Sequence, residues 1–205
     1  MKQLNLQNQQ NKLRDKFLNS GVKMIGPETI FFSKDTKIGK NVVIEPYVVF
    51  GSKVKIGNNV TIKSFSHFEN CRVENKVEVG PYARIRPGTV LKEGSKVGNF
   101  VEIKNSKIGN KVSIAHLSYV GDSEVGNNVN IGAGAITCNY DGKKKHKTII
   151  KNNVFIGSNS SLIAPILIEA KSTIAAGSVI TKNVPRKSLA IERSNLKILR
   201  NKTLK

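Results

Sequence analysis

One of only three histidines, His116, heads the stretch "HLSYVGDSEVGNNVNIGAGAITCNYDG", residues 116–142 of a 205-residue chain. An imidazole titrates near about pH 6.5, so it can take a proton at neutral pH and return it. The stretch runs on into "TCNYDGKKKHKT", residues 137–148, which is polar and lysine-rich. His67, His116 and His146 include no closely spaced ligand pair, which argues against a zinc centre. Cys71 and Cys138 are too few for a disulfide framework. Nothing in the sequence beside Cys138 activates its thiol, so it reads as a bystander.

The elements that must hold these residues are read from a six-residue period. An Ile, Val, Leu or Phe recurs at 38, 44, 50, 56, 62 and 68, then, after a one-residue deletion, at 73, 79, 85, 91, 97 and 103. Single-residue shifts lead to 108, 114 and 120 and to 125 and 131; after a break it resumes at 150, 156, 162, 168, 174 and 180. Each of these residues is often followed by glycine, with a small or β-branched residue four places on. Short strands that each turn one large side chain inward, separated by Gly/Asn corners tolerant of φ > 0, give this pattern. Stacked coils then bury a continuous core. The period predicts a hexapeptide-repeat parallel β-helix of about seven to eight turns. Its one long interruption, 137–149, is expected to protrude from the wall as a loop. The domain plan is an N-terminal helix and linker over 1–22, a β-helix over 23–193 and a basic tail over 194–205. Leu6, Leu13, Phe17 and Leu18 form the helix's thin apolar face, and Gly21 is its stop.

Apolar residues make up 39% of the chain, without tryptophan and with only 6% aromatics, so small and β-branched side chains must fill the interior. No apolar run is long enough to span a membrane, and the N-terminus lacks the apolar core of a signal peptide. With two cysteines, this favours the reducing cytoplasm. The net charge of +20, from 34 Lys+Arg against 14 Asp+Glu, attracts nucleic acid, anionic lipid or phosphorylated small molecules. The lysines are dispersed along the chain, as a Lys-, Asn- and Ile-rich composition leaves them.

The segment "RIRPGTVLKEGSKVGNFVEIKNSKIGNKVSIAHLSYVGDSEVGNNVNIGAGAITCNYDG" resembles the C-terminal half of the bacterial bifunctional N-acetylglucosamine-1-phosphate uridyltransferase / glucosamine-1-phosphate acetyltransferase family. "LRDKFLNSGVKMIGPETI" resembles that family's interdomain helix and β-helix entry, and "STIAAGSVITKNVPRKSLAIERS" its last coils. The resemblance implies a left-handed coil, three units per turn, and a homotrimer with sites between subunits that the 137–149 loop reaches across. It implies acetyl transfer from acetyl-CoA to the amine of glucosamine 1-phosphate, on the route to UDP-N-acetylglucosamine and the cell envelope. The family's nucleotidyltransferase domain has no counterpart before the helix, so no uridyltransferase activity is expected.

Acetyl transfer needs a deprotonated amine, donors for the developing oxyanion, and both substrates in reach. The resemblance assigns His116 as general base, Glu102 as its orienting carboxylate and Asn139 to the amine. It gives Arg86 and Lys104 to the phosphate, Tyr119 and Asn130 to phosphate and sugar hydroxyls, and Lys145 to the sugar. For the coenzyme it points to Ala133, through its backbone N–H, and to Tyr140, Ser158, Ala176 and Arg193. The small residues of "GAGAI" and "IAAG" fit equally a pantetheine arm lying on the backbone or plain crowding at solenoid corners. A γ-class carbonic anhydrase shares the hexapeptide fold but needs three zinc-binding histidines. A nucleic-acid-binding scaffold needs aromatics interleaved with a basic stripe, and dispersed lysines with few aromatics argue against it. A third alternative is the same chemistry on a different amino sugar.

Overall fold

Strands of two to four residues, each ended by a corner, cannot pair with their chain neighbours. They pair instead with the equivalent strand one coil away, and a stack of parallel ladders results. The computed structural model, which describes residues 2–195 and 198, is a left-handed parallel β-helix of about nine turns. Its three faces hold ten, nine and eight strands. The first face runs from Lys23–Met24 through Ser113–His116 to Leu189–Ala190. The second runs from Phe31–Phe32 through Tyr119–Gly121 to Val179–Ile180, and the third from Lys37–Ile38 through Ser123–Val125 to Ile166–Ile168. The six-residue count falls short of this because the end coils depart from it. The lowest coil uses Met24 and a Pro27–Thr29 3-10 turn, and the uppermost closes on Ala190.

Every aliphatic or Phe position read from the period is buried except Ile38, which is half-buried. The inward residues stack in register. Ile44, Ile62, Val79, Val97, Ile114 and Ile131 form one column on the first face. Phe32, Phe50 and Phe68 begin the column on the second, with ring centroids 5.0 and 5.3 Å apart. The residues four places on, such as Val42, Val48, Val54 and Val60, are also buried. Left-handed backbone falls three places after the inward residue, on Asn41, Tyr47, Lys53 and Asn59 among others. The glycine directly after the inward residue has a different cause. At Gly98 a Cβ would lie 1.9 Å from the Ala115 carbonyl oxygen of the next coil.

Helix Lys2–Asn19 covers the lower end of the coil. Phe17 is buried against Phe32, while Leu6 and Leu18 are exposed because only one side of the helix meets the solenoid. The Gln10 side chain pairs with both the N–H and the carbonyl of Phe32, each at 2.9 Å, blunting the edge of the second face. Gly21, at φ 87°, ends the helix, with Val22 N–H donating to the Phe17 carbonyl at 3.1 Å.

The interruption is shorter than the sequence suggests. Ile136–Cys138 and Thr148–Ile150 are strands in register with the coils on either side. Thr137 occupies an inward position, where its buried hydroxyl accepts the Gly121 N–H at 2.8 Å. Only residues 139–147 leave the wall, closed by an antiparallel bridge between Tyr140 and Lys145. Among the described residues, no helix is long and apolar enough to cross a membrane. Most of the basic tail, including 199–205, lies outside the described residues.

Candidate active site

The corner joining the first and second faces stacks one residue per coil. Asn99 and His116 are register partners at the ends of Lys96–Asn99 and Ser113–His116. The same column rises through Ala133, Ser158 and Ala176: Gly134 N–H donates to the His116 carbonyl, Asn159 N–H to Ala133 and Gly177 N–H to Ser158, at 3.3, 2.7 and 2.8 Å. At a coil spacing of about 4.8 Å, His116 to Ala176 is a run of about 14 Å. The imidazole is exposed, and its Nδ1 lies 2.5 Å from Asn99 Oδ1. Its Nε2 has no hydrogen-bond partner among the described residues.

Above His116 the column presents backbone amides. At the corner joining the third and first faces, the equivalent N–H groups of Lys40, Asn58, Asn110 and Asn127 are each capped by an asparagine side chain from the next coil. The N–H groups of Ala133, Ser158 and Ala176 have no acceptor among the described residues. Crowding explains the glycines beside them: a Cβ on Gly132 would meet Ser158 N at 2.6 Å, and one on Gly157 would meet Ala176 N at 2.4 Å. It does not explain Ser158 and Ala176 themselves, which are exposed. Arg193 leans over the top of the column, its Cδ 3.9 Å from where a Gly177 Cβ would be.

The second face carries Arg84, Glu102 and Tyr119 on successive coils. Glu102 makes no hydrogen bond to the imidazole among the described residues. It accepts from Arg86 Nη1 at 2.6 Å and lies 3.6 Å from Arg84 Nη1. Register is the reason, since Glu102 stands over Arg84 on the face while Asn99 lies directly beneath His116. Tyr119 lies across Gly121, so a Cβ there would be 2.4 Å from the tyrosine hydroxyl.

At the far edge of the same face, Arg86, Lys104 and Lys145 converge. The Lys104 ammonium is held below the ordinary lysine range by contact with Lys145, then by burial and by Arg86, with Asp122 opposing. Burial pushes the Asp122 carboxyl up. Hydrogen bonds from Asn105 and Asn139 and the charges of Lys104 and Lys145 outweigh it, so the carboxyl sits below the usual range. Asn139 is 7% exposed and gives its amide N–H to Asp122. This contact anchors the loop to the coil below. Tyr140 is exposed and donates its hydroxyl to the Gly142 carbonyl at 2.6 Å, on the loop and away from the amide column. Asp141 accepts the N–H groups of Lys144 and Lys143 and contacts His146 at 2.6 Å, which holds the loop in shape and its own carboxyl far below the usual range.

One chain therefore groups the expected residues in two sets, the corner column and the cationic edge, on either side of Tyr119. Asn130 joins neither. It points outward from the first face, between Ser113 and Phe155. The sequence motifs do not single out Asn99, Asp122 or Arg84. Asn99 precedes His116, and Asp122 precedes Asn139, by one coil of 17 residues, so the repeat register was the signal that locates them. A basic groove of about 480 Å³ on the third face, lined by Lys37, Lys55 and Arg72, holds none of these residues. The exposed aromatics Tyr47, Phe65, Tyr82 and Phe100 stack on one another 4.8–5.0 Å apart. Their inner ring faces are thus occupied by one another.

Residues 35–69 and 147–182 match the family model for the bacterial transferase hexapeptide (six repeats). The chain is 55% identical over 185 residues to the bifunctional protein GlmU of Wolbachia pipientis wMel, covering 90% of this chain and 43% of that protein. It is 52% identical over 197 residues to GlmU of Bartonella bacilliformis, covering 96% of this chain and 44% of that one. It thus spans less than half the length of these curated relatives. Among solved structures, UDP-N-acetylglucosamine O-acyltransferase (LpxA) from Moraxella catarrhalis RH4 superposes with a TM-score of 0.58 at 21% identity, over 82% of this chain and 70% of that one. The Francisella novicida UDP-N-acetylglucosamine acyltransferase gives 0.58 at 18% identity, over 82% and 66%. These two likenesses are of fold.

Proposed function

We propose that this chain, a hexapeptide-repeat protein homologous to the C-terminal half of the bifunctional GlmU proteins, is an N-acetyltransferase that moves acetyl from acetyl-CoA to the amine of glucosamine 1-phosphate. The observation that carries the reading is the corner column: an exposed imidazole with its Nε2 unengaged, at the foot of a row of uncapped backbone amides. His116 Nε2 takes the proton as the amine nitrogen attacks the thioester carbonyl. The Ala133 N–H faces the developing oxyanion. The tetrahedral intermediate then collapses with loss of the thiolate, which leaves with the proton held by His116. The Ser158 and Ala176 amides line the run along which the pantetheine arm lies, with Arg193 above them for the coenzyme's phosphates.

Arg86, Lys104 and Lys145 hold the sugar phosphate. Three convergent cations, two of them in repulsive contact, are stabilised by a dianion, and the Arg fork adds direction to the charge. Tyr119 lies between the cations and the corner and fits the sugar. Asn130 on the first face and Tyr140 on the loop lie apart from both sets, which fits a homotrimer with sites between prisms. A cytoplasmic setting, where acetyl-CoA is available, agrees with two free cysteines. The product, N-acetylglucosamine 1-phosphate, supplies UDP-N-acetylglucosamine synthesis.

The test is thiol release from acetyl-CoA on the purified chain, with glucosamine 1-phosphate, glucosamine and UDP-linked amino sugars in turn. Turnover confined to the 1-phosphate supports the reaction and the cationic edge together. Turnover with another amino sugar keeps the chemistry and withdraws the phosphate assignment.

A further inference from the structure

Strands on the first face are two residues long except Lys96–Asn99 and Ser113–His116, which have four each. The added pairing joins Asn99 to His116 and depends on Gly98, where the coils approach too closely for any Cβ. Asn99 then binds the corner above it twice. Its carbonyl accepts the Leu117 N–H at 3.0 Å, and its side-chain Oδ1 lies 2.5 Å from His116 Nδ1. An amide oxygen only accepts, so the ring nitrogen facing it is Nδ1–H, and the lone pair resides on Nε2. On the coils above and below, the column positions are Ala133 and Asn99, both uncharged. On the second face, Glu102 is paired with Arg84 and Arg86.

We propose that Asn99 is the positioning residue of the base: it fixes the Nδ1–H tautomer and the ring plane so that Nε2 faces the acceptor amine. A carboxylate in this place would do the same and also favour the imidazolium. The neutral amide fixes the tautomer while leaving the ring free to be a base. The catalytic part of this inference rests on the acetyl-transfer reading; the tautomer does not.

Two readouts keep these apart. Nitrogen-15 NMR of the histidine rings, with His116 identified by the His116→Ala spectrum, reports the tautomer without any substrate. The wild type should be Nδ1–H, Asn99→Ala should show mixed tautomers, and Asn99→Asp should restore Nδ1–H. In the thiol-release assay, Asn99→Ala should lower kcat by about tenfold to hundredfold with KM within about twofold. Asn99→Asp should recover much of kcat, with the acidic limb of its rate profile moved to higher pH. The Asn99 main chain, which takes the Leu117 N–H, is common to all three proteins, and a thermal melt checks that the coil is intact. An Nε2–H ring in the wild type, or an unchanged tautomer in Asn99→Ala, overturns the proposal. A changed tautomer with unchanged kcat overturns its catalytic part. The expected tautomers in a chain that acetylates no amino sugar leave the positioning in place and sink the acetyl-transfer reading instead.

Discussion

Replacing His116 with alanine removes the ring nitrogen at the foot of the amide column while leaving the amides above it in place. Turnover should fall by roughly a hundredfold to ten-thousandfold, while acetyl-CoA binding measured by calorimetry survives; wild-type turnover would remove His116 from the mechanism. At the cationic edge the charges themselves set a second expectation. Lys104 has its ammonium held below 10.5 chiefly by Lys145, so the unfolded chain binds the Lys104 proton more tightly than the folded one. Without ligand, stability should therefore rise with pH between the folded value and 10.5, the ordinary lysine value. Lys145→Ala should flatten that rise in Tm, raise Tm at neutral pH and weaken glucosamine 1-phosphate binding. An unaltered pH dependence of Tm in Lys145→Ala would dissolve the proposed repulsion. Residues of this kind differ in how legible they are. His116 is rare in type and stands in a long motif, so the sequence exposes it. Asn99 and Asp122 are corner residues in a chain full of corner asparagines and polar groups, and only the 17-residue coil register singles them out.

Coil spacing is an element-scale property, and Gly98 is where it touches the site. A methyl group there must push back a backbone carbonyl now 1.9 Å away, which no side-chain rotation relieves. Gly98→Ala should destabilise the chain by about 1–3 kcal/mol and lower turnover by shifting the strand that carries His116. An unchanged Tm would mean that the two coils can part without cost. The loop has its own tether, Asp122, whose carboxylate takes the amides of Asn105 and buried Asn139. Asp122→Ala leaves the Asn139 amide unpaired, so trypsin should cut at Lys143–Lys147 faster than in the wild type; equal rates would place the tether elsewhere. The six-residue period reveals the inward columns almost completely, because one large side chain per strand is all the interior accepts. It misses the lowest coil, built on Met24 and a 3-10 turn. It also misreads the edges of the loop, because Thr137 takes an inward position by using its hydroxyl on Gly121 rather than by being aliphatic.

At the scale of the whole molecule, the three-sided section of the solenoid separates residues that the proposed reaction assigns to one ligand. Asn130 projects from the first face and Arg86 from the far side of the second. A prism turns those faces away from each other, so a sugar phosphate cannot meet both within one chain. In the proposed homotrimer, a closed ring in which each copy presents its first face to the second face of the next would bring them together by a heterologous contact that closes on itself. This arrangement makes a quantitative forecast for mixed assemblies. Arg86→Ala and Asn130→Ala should each be nearly inactive alone. Co-expressed in equal amounts, they should form trimers in which about a quarter of the interfaces take Arg86 from one chain and Asn130 from its neighbour. Activity should therefore return to about a quarter of the wild-type level. Sites built within single chains would contain a defect in every copy, and the mixture would stay as inactive as its components.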